Sequence, residues 1–254
     1  MTKQDAINLL TQKDQLQMLS FYDTLTPQQQ ENLLAQIEGI DWSLLDVLKT
    51  HETVNARGTF APLSAMELSQ IDANRAHLEE VGLQAIREGK VAAVLLAGGQ
   101  GTRLGFDKPK GMYNIGVTRE LYIFECLINN VMEVVKKAGA WIPFYIMTSD
   151  KNYDDTTAFL KEKNYFGYNA EYIHFFKQEM APSVDYNGKL LMEAPDRLSL
   201  SPNGNGGWFI SMVRAGLLDT IKELGVEWLN VFSVDNVLQK IADPIFVGAV
   251  LKHG

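Results

Sequence analysis

Six consecutive apolar residues, Val91-Ala92-Ala93-Val94-Leu95-Leu96, run straight into Ala97-Gly98-Gly99-Gln100-Gly101-Thr102-Arg103-Leu104-Gly105. A continuous apolar run of strand length, with no polar alternation, fits a strand buried on both faces, as in a parallel sheet. The glycines that follow remove Cβ atoms, admit positive φ and let backbone N–H groups converge on an anion. Ligands of open α/β sheets bind at the carboxyl ends of the strands, so a glycine-rich loop leaving that edge predicts a binding loop. Further strands are predicted at 142–147, 171–176 and 228–234, and helices at 120–138, 154–162, 208–218 and 219–224. Strands that alternate with helices predict an α/β domain with a mostly parallel sheet. Tyr186-Asn187-Gly188-Lys189 carries an Asn-Gly hairpin signal.

Residues 1–89 read differently, as a helical N-terminal arm ahead of a sheet domain over 90–254. Ile7, Leu9, Leu10, Leu16 and Leu19 define the apolar face of a first amphipathic stretch that includes Asp14 to Met18. Thr26-Pro27-Gln28-Gln29 has the form of a helix start, with Thr as N-cap, Pro at the first helical position and Gln three after the cap. Asp41-Trp42-Ser43 opens a short helix, and Ser64-Ala65-Met66-Glu67 a longer one ending near Gly89. Glutamine-rich pieces such as Gln28-Gln29-Gln30 read as solvated helix faces. No Pro/Ser/Gly linker separates the two parts, so the arm is expected to dock on the sheet domain.

Among 254 residues, 31 Asp and Glu against 23 Lys and Arg give a formal net charge of −8. That balance argues against nucleic acid or an anionic membrane as the main partner, but not against small phosphorylated ligands met by a few placed cations. Cys126 is the single cysteine, which excludes an intramolecular disulfide and a cysteine-based zinc cluster. With no signal-like start and no apolar run of about 18 residues, a cytoplasmic setting is the expectation. His51, His77, His174 and His253 are scattered, and neither a His-Glu-x-x-His pair nor a Gly-x-Ser-x-Gly elbow is present.

The glycine loop itself excludes two common alternatives. No Gly-x-x-x-x-Gly-Lys-Ser/Thr is present, so it is not a P-loop. A dinucleotide fingerprint needs its third glycine where Leu104 stands. Arg103 adds a planar, permanently charged fork, and Lys110 a point charge suited to phosphate. A tight strand-to-loop turn without a ligand would account for the glycines, but not for Thr102, Arg103 and Lys110 beside them.

The segment Leu96 to Gly105, followed by Pro109-Lys110-Gly111-Met112, resembles the signature of the UDP-sugar pyrophosphorylases, and most closely its UDP-N-acetylhexosamine branch. Three later segments resemble the same family in the same order. Phe175-Phe176-Lys177-Gln178 resembles a strand end whose glutamine pairs with uracil, and an amide does offer the donor and acceptor that the imide edge of uracil requires. Ser201-Pro202-Asn203-Gly204-Asn205-Gly206-Gly207 resembles the family's Pro-Asp-Gly-Asn-Gly-Gly loop, with Asn203 in place of aspartate. Val234-Asp235-Asn236, ahead of Ala242-Asp243-Pro244, resembles the family's Val-Asp-Asn segment. Read alone, Gln178 is a polar residue after a strand, the Gly204 loop a helix cap and Asp235 a turn cap.

The resemblance implies a Rossmann-like, GT-A-like nucleotidyltransferase domain that condenses UTP with a sugar 1-phosphate, N-acetylglucosamine 1-phosphate first, and releases pyrophosphate with Mg²⁺ as the metal. It implies a UTP site made of Leu96, Ala97, Gly98, Gly99, Gly101, Thr102, Lys110, Gln178, Gly204 and Asp235. Arg103 and Lys110 are the implied catalytic cations, Asn205 faces the sugar phosphate, and Asp235 holds the metal. Lys240 receives no role. Members of the family run considerably longer, so the resemblance also implies that this chain is a nucleotide-binding half. The alternatives are a non-catalytic uridine-nucleotide-binding fragment or pseudoenzyme, and an enzyme that takes glucose or galactose 1-phosphate.

Overall fold

The computed structural model describes residues 1–43, 45, 59, 61–62 and 65–253. His51 and Ser64 lie outside the described residues. By compactness the chain divides into two units, Met1–Leu63 with Met180–Pro202, and Ser64–Glu179 with Asn203–Gly254.

The larger unit holds a four-stranded parallel sheet of β1 (Val91–Leu96), β2 (Phe144–Thr148), β3 (Ile173–Lys177) and β8 (Trp228–Ser233), in the order β3-β2-β1-β8. All six residues of β1 are buried, because helices cover both faces of the sheet. Ala93, Leu95, Phe144 and Ile146 share one core with Phe124, Leu127, Ile128 and Val131 of α4 (Ile123–Ala138). Ala92, Val94, Leu96, Tyr145 and Met147 share the opposite core with Met212 of α6 (Trp208–Arg214) and Ile221 of α7 (Leu217–Glu223). Successive strand residues point to opposite faces, so burial on both sides leaves no place for a polar residue in the run. The helix expected over 208–218 ends at Arg214, since Gly216 turns left-handed (φ +74°) and starts α7. The segment read as 154–162 is α5 (Tyr153–Glu162).

The long helix that the sequence places in the arm, α3 (Leu68–Arg87), packs within this larger unit. Leu83, Ala85 and Ile86 join the core under β1. Its partner is α8 (Pro244–His253), and the two backbones touch through a reciprocal pair of glycines. A Cβ on Gly82 would stand 1.9 Å from the Pro244 carbonyl oxygen, and one on Gly248 would stand 1.9 Å from that of Leu78.

In the smaller unit, α1 (Lys3–Gln12) and α2 (Pro27–Glu38) begin with capping boxes from Thr2 and Thr26. The amphipathic stretch read as continuous through Met18 is broken. Asp14 adopts φ +58°, a short 3₁₀ turn follows at Leu16–Leu19, and Leu16 is 47% exposed while Met18 is buried. Trp42 and Ser43 are helical, with the Asp41 carboxylate accepting from the Ser43 N–H at 3.1 Å. Residues 180–202 add two antiparallel pairs, β4 (Met180–Pro182) with β7 (Leu200–Pro202) and β5 (Met192–Ala194) with β6 (Arg197–Leu198), which the strand pattern does not reveal. The Asn-Gly hairpin forms, with Gly188 at φ +75° between Val184 and Leu190.

Gln28 is exposed, as its reading as part of a solvated face expects, while two other glutamines tie residues 180–202 to the N-terminal segment. Gln15 is buried, donating to the Gly188 carbonyl at 2.8 Å and accepting from the Leu190 N–H at 2.9 Å. Gln36 does the same with the Asp196 carbonyl and the Leu198 N–H, each at 2.9 Å. Leu190 and Leu198 complete an apolar core with Ala6, Leu10, Leu33 and Ile37.

The glycine contact yields a direct expectation. Gly82→Ala and Gly248→Ala each force the α3 and α8 backbones apart, an overpacking cost of about 1–3 kcal/mol or more. Urea unfolding followed by circular dichroism should show a lower midpoint for both with an unchanged slope, whereas an unaltered midpoint contradicts the close contact.

Candidate functional site

Parallel pairing in register brings four chain segments to the carboxyl edge of the sheet. Leu96 lies opposite Met147 on one side and Ser233 on the other, and Thr148 lies opposite Lys177. The residues that follow, Ala97, Ser149, Gln178 and Val234, therefore leave the same edge. The ladders run on into these loops. The Ala97 N–H donates to the Met147 carbonyl at 2.8 Å, that of Gln178 to Thr148 at 2.7 Å, and that of Val234 to Leu96 at 3.1 Å.

The glycine loop folds back on itself. The Gly101 N–H donates to the Lys108 carbonyl at 2.9 Å and the Lys110 N–H to the Gly99 carbonyl at 3.2 Å, which pairs Gln100 with Pro109. Gly105 adopts φ +68° and closes a 3₁₀ turn over Thr102–Leu104. Gly101 is required by contact with backbone, and Gly98 lies against a side chain. A Cβ on Gly101 would stand 2.9 Å from the Phe106 carbonyl oxygen, and one on Gly98 would stand 2.6 Å from the Gln178 amide nitrogen. Leu96 and Ala97 are buried at the root of the loop, while Gly99, Thr102 and Arg103 are exposed. Among the described residues no acceptor lies on the N–H groups of Gly98, Gly99 and Gln100.

Lys110 reaches from this loop across β1 to Asp235, and their side chains form a short ion pair. The Ser233 hydroxyl donates to the other carboxylate oxygen at 2.9 Å. The Lys110 hydrogen bond foremost, then Ser233 and the charge of nearby Arg103, hold the Asp235 carboxyl below its ordinary range, with partial burial opposing them. Arg103 itself forms no ion pair among the described residues. Arg103, Lys110 and Asp235, about 130 residues apart in the chain at most, thus share one corner of the edge.

Gln178 is buried, with its amide against Gly98. The loop with Gly204 and Asn205 follows in the same unit, joined to Gln178's neighbour by the Asn203 N–H, which donates to the Glu179 carbonyl at 2.9 Å. Gly204 sits at φ +73°, ψ −174°, a conformation open essentially to glycine alone. Gly204 and Asn205 are exposed.

Two buried polar residues position these loops, and neither belongs to a motif. Ser211 on α6 accepts from the Glu179 N–H at 2.9 Å and donates to the Gly207 carbonyl at 2.8 Å, tying the Gly204 loop to the end of β3. Asn152 links the β2 loop to the glycine loop. Only their burial distinguishes them from surface residues, and burial is a tertiary property. Lys240 lines a separate cavity of about 520 Å³, with Arg75, Glu79, Asn130, Glu133 and Lys137, that shares no residue with this edge.

For a metal, Asp235 offers one carboxylate beside the Ser233 hydroxyl. No group of three or more His, Cys, Asp or Glu is placed to hold an ion among the described residues. That donor set is too small for a protein cage but suits Mg²⁺, which keeps waters and is commonly held by one or two carboxylates together with substrate phosphates. No described helix is long and apolar enough to cross a membrane.

The Lys110–Asp235 pair has a pH signature. Because the folded carboxyl titrates below its unfolded value, the pair's contribution is present above the ordinary carboxylate range and is lost as pH falls through the lowered value. In Lys110→Met, Asp235 should titrate at higher pH than in the wild type, read from its side-chain ¹³C shift. An unmoved titration means that Lys110 does not govern the carboxyl.

The sequence profile of the UTP–glucose-1-phosphate uridylyltransferase family matches residues 29–254. The chain is 36% identical to UDP-N-acetylglucosamine pyrophosphorylase of Saccharomyces cerevisiae over 98% of its own length and 56% of the relative's. It is 32% identical to UDP-N-acetylhexosamine pyrophosphorylase-like protein 1 of Mus musculus, over 100% and 54% respectively. Its fold superposes on the uridine diphosphate N-acetylglucosamine pyrophosphorylase of Trypanosoma brucei with a TM-score of 0.79 at 30% identity, covering 99% of this chain and 55% of that one. The chain thus spans about half the length of the curated relatives it matches.

Proposed function

The chain belongs to the UTP–glucose-1-phosphate uridylyltransferase family, and from that membership we propose that its sheet edge binds UTP for transfer of the uridylyl group to a sugar 1-phosphate. The observation that carries this reading is the convergence of the glycine loop, the Gln178 amide and the Lys110–Asp235 pair at the carboxyl end of β1. Gln178 reads the imide edge of uracil, helped by the Gly204 backbone. The backbone from Leu96 to Gly99, with Gly101 and Thr102, takes the nucleotide. Asn205 faces the sugar phosphate.

In the reaction a phosphate oxygen of the sugar 1-phosphate attacks the α-phosphorus of UTP. A new P–O bond forms, the α–β phosphoanhydride bond breaks, and pyrophosphate leaves with that electron pair. The attacking oxygen is already ionised, so no general base is needed. Two polyanions must meet, and catalysis is then positioning with charge neutralisation. Without ligand, Lys110 and Asp235 neutralise each other. When the triphosphate enters, Lys110 and Arg103 turn to its oxygens, which frees the Asp235 carboxylate. Bound there, Mg²⁺ would supply positive charge shared with the phosphates. The names of the relatives favour N-acetylglucosamine 1-phosphate as the sugar, with glucose or galactose 1-phosphate as the competitors. The half-length coverage favours a second reading for these 254 residues alone, nucleotide binding with little turnover.

Isothermal calorimetry of the 254-residue chain with Mg²⁺ should show UTP binding. Gln178→Ala should weaken it by about 1–3 kcal/mol, the cost of unpaired polar groups on the base. Absence of heat from a folded chain overturns the reading. Pyrophosphate release with a panel of sugar 1-phosphates separates the two readings, slow release fitting binding without turnover.

A further inference from the structure

We infer that Asn152 is a positioning residue for the phosphate site, aiming the Gly98 and Gln100 N–H groups at the nucleotide; this rests on the reading of the glycine loop as the UTP site. Asn152 is fully buried where α5 begins, a place where asparagine ordinarily caps its own helix by accepting from the first turn. It makes no such cap. Its side-chain oxygen instead accepts from the Ser149 N–H at 2.7 Å. Its side-chain nitrogen donates to the Ala97 carbonyl at 3.0 Å and the Gly99 carbonyl at 3.4 Å. These partners fix the amide's orientation, since an N–H requires the oxygen and two carbonyls require the nitrogen.

The consequence follows from peptide geometry. A carbonyl and the N–H of the next residue belong to one planar trans unit and point in opposite directions. No cis peptide bond occurs among the described residues. Drawing the Ala97 and Gly99 carbonyls toward Asn152 therefore turns the Gly98 and Gln100 N–H groups away from it. Those two groups lack an acceptor among the described residues, as a site waiting for an anion requires. The Lys110 N–H also donates to the Gly99 carbonyl, so the residue that carries the phosphate cation is held to the same anchor point. Gly98 lets the Gln178 amide pack against its backbone, yet glycine leaves that backbone free to rotate. Asn152 supplies the restraint that the glycines cannot.

Asn152→Ala removes the restraint. Asn152→Asp retains the bond to Ser149 but sets an oxygen against two carbonyl oxygens, so it should be the more damaging of the two. Asn152→Ser serves as a third variant if either fails to fold. UTP affinity should fall about tenfold or more, as for loss of a hydrogen bond to a charged group. Uridine, which lacks phosphate, should bind with unchanged affinity. In the wild type, inorganic tripolyphosphate should move the Gly98 and Gln100 amide signals in ¹⁵N NMR spectra, and in the variants the movement should shrink. Unchanged UTP affinity, equal losses for uridine and UTP, or wild-type amides that ignore tripolyphosphate each overturn the inference. A wild type whose amides answer tripolyphosphate but which does not bind UTP would overturn the uridylyl reading while leaving Asn152's role standing.

Discussion

The structure hangs on β1, an interior strand, fully buried, that joins β2 to β8 and runs into the glycine loop. Its pairing with β2 and β8 sets the register of the sheet. Because all four strands are parallel, that register also decides which loops share an edge. A slip of one residue between β1 and β8 would exchange the faces of Phe232 and Val231, placing each in the wrong core. It would also move Asp235 away from Lys110. The apolar packing that stabilises the sheet and the charge geometry of the site are consequences of one alignment.

In the proposed function an acidic chain handles polyanions without a basic face. Its cations are few and local, and at rest they are partly neutralised from within. Lys110 and Asp235 hold each other at the edge, while Arg103 stays exposed nearby. Backbone N–H groups supply the rest of the positive potential without adding net charge. In the proposed function a divalent cation with Lys110 and Arg103 offsets part of the triphosphate charge. The formal net charge of −8 by itself does not favour the approach of polyanions.

Much of the fold was legible locally. The four predicted strands all occur in the larger unit, and the box at Thr26 caps its helix. Local pattern failed where a residue's partner lies far along the chain. Nothing near Gln15 or Gln36 announces a hairpin over 150 residues away that needs their amides. The short strands of 180–202 bury little, so they lack the apolar signature by which strands are read. The helix α3 looked like part of an arm because a helix face does not say what it packs against. Gly82 and Gly248 are the trace of that packing in the sequence, and they acquire meaning only as a pair.

By itself the sequence determined the parallel α/β class, the glycine loop at a strand's carboxyl end and, beside it, two residue types suited to an anion, Arg103 and Lys110. Periodicity and covalent geometry suffice for these, since both are properties of a few neighbouring residues. Only the tertiary structure decided that Lys110 meets Asp235, that Gln178 lies against Gly98, and that Asn152 turns from its helix to hold the loop. Those outcomes depend on the register of strands from distant parts of the chain and on which polar groups become buried. Once buried, a polar group must find a partner wherever the fold supplies one.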